Sequence, residues 1–119
     1  MTPLDGFALL LGSVAAALAV HEAGHALAAN ALGGQRLRLV LGWPAVRVEV
    51  DLPRGREIEA VFLVAGGMAN LGAAGSLWQT TSWAFHLAAG VQLLSVVVNL
   101  LPFGTSDGAR LLALWRHRA

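Results

Sequence analysis

Charged residues are spaced very unevenly along this chain, and the gaps between them set out its elements. From Gly6 to Gly34 the sequence is apolar apart from His21, Glu22, His25 and a few small polar residues. That is more than the roughly 20 residues a membrane-spanning helix needs. Thr2, Pro3 and Asp5 suit the N-cap, first and third helical positions at its start, and Gly33-Gly34 suits its end. Between Arg36 and Asp51 the period changes to two. Arg36, Arg38, Arg47, Glu49 and Asp51 alternate with Leu37, Leu39, Val46, Val48 and Val50, and Gly42-Trp43-Pro44 separates the halves. This pattern predicts a β-hairpin, closed off by Leu52-Pro53-Arg54-Gly55.

From Ala60 to Ser106 there are 47 residues without an Asp, Glu, Lys or Arg. They predict two further spans, Glu57 to Trp78 and Ser82 to Leu101, joined by the polar Gln79-Thr80-Thr81-Ser82 with Trp78 and Trp83 on either side as interfacial aromatics. Pro102 to Thr105 should interrupt helical structure, and a second, short helix should begin at Asp107. The expected fold is a mainly α membrane protein. It has three transmembrane helices, a β-hairpin between the first and second, and a short C-terminal helix, with residues 1–119 forming one membrane-embedded domain.

Composition agrees with that reading. Hydrophobic residues make up 56% of the chain and charged ones 13%, a balance that argues against an ordinary soluble globule and for the lipid bilayer as a partner. The eight basic residues are all arginine and fall in two blocks, Arg36 to Arg56 and Arg110 to Arg118, with no basic track suited to nucleic acid. The absence of cysteine excludes disulfides and thiolate metal ligands. The N-terminus has no positive n-region, so the first apolar segment is expected to be retained as a helix. The Trp78 to Trp83 connection carries no arginine, so the positive-inside tendency predicts a multi-pass protein with its N-terminus outside and its hairpin and C-terminus cytoplasmic.

His21-Glu22-Ala23-Gly24-His25 changes the picture from architecture to chemistry. On a helix, residues four apart share a face, so both imidazoles can reach one metal ion while Glu22 stands beside them. In an H-E-x-x-H arrangement the histidines hold Zn²⁺ and the glutamate takes a proton from a metal-bound water that attacks a carbonyl. A carboxylate in this setting costs about 2.5–3.5 kcal/mol near a bilayer centre, which demands a functional return. Two histidines are an incomplete catalytic site, and a third ligand is needed. His25 lies eight residues before Gly33, about 12 Å of helix, so the metal is expected in the cytoplasmic half of the membrane. His86 and His117 have no partner at ligand spacing and are read as packing or surface residues.

Asp107 is the one uncommitted acid in the C-terminal half, within Asn99-Leu100-Leu101-Pro102-Phe103-Gly104-Thr105-Ser106-Asp107-Gly108. This run and the first motif together resemble the site-2 protease family of intramembrane zinc metalloproteases, whose second motif is usually N-P-x-P-x-x-x-L-D-G. Leu100 and Ser106 depart from that pattern. Gly66-Gly67-Met68-Ala69-Asn70 is similar to the family's G-P-x-x-N element, with Gly67 in place of proline. The resemblance covers nearly the whole chain.

It implies His21, His25 and Asp107 as zinc ligands and Glu22 as general base. Asn70 and Asn99 would orient substrate or stabilise an oxyanion, with an interhelical hydrogen bond as the alternative for each. The implied activity is a zinc metalloendopeptidase that hydrolyses a peptide bond within or beside a transmembrane segment of a membrane-protein substrate. The edge of the hairpin would receive the unwound substrate strand. The alternative is a non-proteolytic zinc-binding membrane regulator or scaffold, and self-association into a homo-oligomer stays open.

Overall fold

The computed structural model describes residues 2–42, 45–102 and 104–117. Its elements run α1 (Pro3–Ala31), β1 (Gln35–Gly42), β2 (Ala45–Asp51), α2 (Arg56–Trp78), α3 (Trp83–Leu100) and α4 (Asp107–Arg116). The predicted order of three long helices, an intervening hairpin and a short last helix is what the chain adopts, with boundaries within about a residue of those expected. Trp43 and Pro44, the centre of the expected hairpin turn, lie outside the described residues, as does Phe103.

Each boundary has a local cause. At the start of α1 the Thr2 hydroxyl accepts from the Asp5 N–H at 3.2 Å and the Asp5 carboxylate accepts from the Thr2 N–H at 2.8 Å, a reciprocal capping box. Gly33, at φ 80°, takes the left-handed conformation that releases the chain from α1 into the hairpin. The antiparallel hairpin pairs Leu39 with Val48 and Val40 with Arg47, and its register slips between Gln35 and Arg38 where Arg36 has φ 57°. Glu57 and Glu59 lie in the first turn of α2, where the exposed N–H groups favour negative charge.

Helices α1, α2 and α3 are each long and apolar enough to cross a membrane. Their packing inverts that of a soluble protein. The buried stripe of α1 is Ser13, Ala17, His21, Gly24, His25 and Ala29, and that of α2 is Phe62, Leu63, Gly66, Asn70 and Ala74. Small and polar residues thus meet at the helix interfaces, and Leu4, Phe7, Leu27, Met68 and Leu94 are among many large apolar side chains more than half exposed. Close contact through small residues, with polar groups satisfied between helices, is how helices associate when their outer faces are apolar. Gly24 shows how tight the contact is, since a Cβ there would stand 2.6 Å from the Ala65 carbonyl oxygen and 2.7 Å from the Ala69 Cβ.

A small apolar cluster of Ala29, Phe62 and Leu63 closes one end of the bundle, with Leu32, Val50, Leu52, Leu111 and Leu114 packed on it. The hairpin and α4 are therefore fastened to the end of the bundle where α1 finishes and α2 begins. Arg56 at the start of α2 also donates to the His117 carbonyl at 2.9 Å.

Candidate metal centre

His21 and His25 face the α1–α2 interface and are both buried, at 3% and 4% exposure. Each ring is held by its Nδ1. That of His25 lies 2.8 Å from the Phe62 carbonyl oxygen, which only accepts, so this Nδ1 carries the proton. That of His21 lies 2.9 Å from Oδ1 of Asn70. The Asn70 amide nitrogen donates to the Ala17 carbonyl at 3.0 Å and to the side-chain oxygen of Gln92, which fixes Oδ1 as the acceptor and gives His21 its Nδ1 proton too. In both neutral imidazoles the lone pair is therefore on Nε2.

Those two Nε2 atoms are 3.0 Å apart. Oδ2 of Asp107 completes the group, 2.9 Å from Nε2 of His21 and 3.0 Å from Nε2 of His25. The chain brings Asp107 here by doubling back after α3. Leu101 is extended, Gly104 is left-handed at φ 60°, and the Ser106 hydroxyl donates to the Leu101 carbonyl at 2.6 Å while capping α4 by accepting from the Ala109 N–H at 3.1 Å. Gly108 lets the first turn of α4 lie directly on the last turn of α3, because a Cβ there would be 2.0 Å from the Leu100 carbonyl oxygen. A straight continuation of α3 would carry Asp107 past the histidines. This folded-back turn returns it.

The donor set fits a metal ion. Two imidazole lone pairs and a carboxylate oxygen converge, with both Nδ1 protons pointing outward to fixed acceptors, the arrangement by which surrounding groups orient metal-binding histidines. Tetrahedral ligands about 2.0–2.1 Å from a small divalent ion stand about 3.3 Å apart, close to the separations here. His21, Glu22 and His25 also offer one donor atom each within 4.8 Å of one another, a group that could hold a metal ion.

Gly66 makes the approach possible. A Cβ on it would lie 2.6 Å from Nε2 of His25 and 2.7 Å from Cε1 of His21. It also sits one turn after Phe62, so the missing side chain opens a path for the His25 ring to the Phe62 carbonyl. Gly24, by contrast, serves the contact with α2.

Glu22 Oε2 accepts from the backbone N–H of Val48 at 2.7 Å. That N–H is thus directed away from β1, so the free edge of β2 faces the metal centre. Glu22, His21, His25, Asp107 and Asn99 line one cavity of about 160 Å³. Asn99 turns its amide nitrogen back to the Ser95 carbonyl at 2.9 Å and forms part of the cavity wall. Asn70 is fully buried, with both amide hydrogens taken by Ala17 and Gln92, so it makes the interhelical bonds and has no hydrogen left for a substrate. His86 packs as expected, stacked on Trp78 and 2.7 Å from the Thr80 carbonyl. His117 is the C-cap of α4.

Sequence reasoning did not single out Gln92, the Phe62 carbonyl or the Val48 N–H. Gln92 had a signal, being one of four polar side chains, with His86, Ser95 and Asn99, in a mostly apolar span. The two backbone groups had none. In comparison with known proteins, no family model matches this chain and no curated protein matches it.

Proposed function

We propose that the chain is an intramembrane zinc metalloprotease of the site-2 protease type, with α1, α2 and α3 inserted in a bilayer and the hairpin and α4 at the cytoplasmic face. One observation carries this reading. Two Nε2 atoms and one carboxylate oxygen lie within 3.0 Å of each other between apolar helices, with Glu22 beside them and a cavity in front. The retained H-E-x-x-H and Asn-x-x-Pro-x-x-x-x-Asp-Gly spacings support it.

His21, His25 and Asp107 would hold the ion. A nitrogen and oxygen donor set without thiolate suits zinc, and three protein ligands leave a fourth position open. Zinc, when bound, supplies a Lewis acid for the scissile carbonyl and lowers the pKa of water. Glu22 then accepts the proton of the attacking water and returns it to the leaving amine. The Val48 N–H anchors that carboxylate on the cavity side of α1. Asn99, on the cavity wall, would meet the substrate backbone through its amide oxygen.

A helical substrate must unwind before its carbonyl is accessible, and the free edge of β2 next to Glu22 offers main-chain partners for the unwound strand. A non-proteolytic zinc-binding scaffold is the second reading. It draws on the same Val48 contact, since an acid that fastens a hairpin to a helix has a structural use.

The test compares purified wild type with Glu22→Gln for zinc content and for cleavage of a panel of single-span substrates. Proteolysis lost with zinc retained supports the protease. A wild type that holds zinc and cleaves none of the panel supports the scaffold.

A further inference from the structure

A second, larger cavity lies beside the metal centre. It is a groove of about 780 Å³ between β2, the start of α2 and α4. Arg47, Val48, Phe62, Thr105 and Arg110 line both it and the metal cavity, so a chain leaving the metal centre towards the end of the bundle enters this groove. Val50, Leu52 and Leu114 give it an apolar floor, and five arginines surround it: Arg38, Arg47, Arg54, Arg56 and Arg110.

Two acids share the lining, and both are already engaged. Glu49 faces Arg47 at 3.2 Å and Arg38 at 3.9 Å, and Glu59 faces Arg110 at 3.9 Å. Among the described residues Arg54 and Arg56 have no carboxylate partner, so the surplus positive charge of the groove rests on them. Both are exposed.

We propose that this groove binds an acidic peptide stretch flanking the cleaved segment of the substrate, and so selects membrane proteins by the charge next to their span. The proposal rests on the protease reading and deepens it by naming the substrate class. Spans commonly carry Lys or Arg on their cytoplasmic flank, and an arginine-lined groove repels those. A span flanked by Asp or Glu meets complementary charge along the path that leads out of the metal cavity. Peptide is favoured over phospholipid because the groove continues the scissile site and runs beside the free edge of β2, where an extended strand is held by its backbone. A headgroup would have no connection to that path.

The experiment measures binding rather than turnover. Metal-loaded Glu22→Gln protein in nanodiscs of neutral lipid is titrated with two labelled single-span peptides that differ only in flank, one carrying Asp and Glu and the other Lys and Arg. The acidic flank should bind about tenfold more tightly at low salt, with the advantage shrinking as salt rises. Arg54→Glu combined with Arg56→Glu should reverse the preference while metal content stays constant. Equal binding of the two peptides, or a preference that the reversal leaves unmoved, overturns the proposal. Loss of affinity for phosphatidylglycerol vesicles in the reversed variant, without peptide discrimination in the original, overturns it in favour of a lipid surface. If the wild type binds the acidic peptide selectively yet never cleaves it, the groove stands and the protease reading fails.

Discussion

Nδ1 of His21 donates to Oδ1 of Asn70 at 2.9 Å across the α1–α2 interface, and this bond decides which ring nitrogen faces Asp107. Asn70 can do so because Ala17 and Gln92 occupy its amide nitrogen. Groups that fix a metal-binding histidine in this way typically contribute tenfold to a hundredfold in metal affinity. Asn70→Leu should therefore weaken metal binding by about 10–100-fold in a chelator competition, with helix content retained. Gln92→Leu should weaken it less. Because Gln92 acts through Asn70, the double variant should bind metal about as well as Asn70→Leu alone. Additive losses would show that Gln92 acts by another route.

Adjacent glycines in α2 give a sharper contrast. A methyl group at Gly66 would press on both imidazoles, whereas one at Gly67 would find only a Val96 methyl at 4.0 Å. Gly66→Ala should cost at least about tenfold in metal affinity, the size expected when supporting groups around a ligand are disturbed. Gly67→Ala should leave affinity unchanged and stabilise α2 slightly, by up to about 1 kcal/mol. Metal affinity and thermal unfolding measured on the two variants side by side check both statements.

The edge of β2 can be tested without touching a ligand. Val46 shares the parity of Val48, so its N–H also points away from β1. Val46→Pro removes an outward donor and spares the ladder. Cleavage efficiency should fall about tenfold through loss of main-chain pairing to the substrate, with zinc content constant. An unchanged rate would exclude strand addition at this edge.

Much of the architecture was legible because apolar stretches of this length have few alternatives. The charge-free run from Ala60 to Ser106 had to divide at Gln79 to Ser82, and α2 and α3 do end and begin there. The pairing of His21 with His25 followed from helical spacing alone. Asp107 was legible as a residue and its position was not, because the path from Leu100 back to the histidines depends on the Gly108 contact, which is a matter of packing. Asn70 read as a possible substrate group because an asparagine looks the same whether its amide is free or taken. Its neighbours Ala17 and Gln92, 53 and 22 residues away in sequence, decide the matter. The Phe62 carbonyl carries no side-chain signature at all.

The account depends on His21, His25 and Asp107 acting together on one ion, and elemental analysis of the purified protein tests this most directly. Wild type should carry about one zinc per chain, and His21→Ala, His25→Ala and Asp107→Ala should each lose most of it, while Glu22→Gln keeps it. Zinc absent from the wild type, or retained in full by Asp107→Ala, would contradict the account.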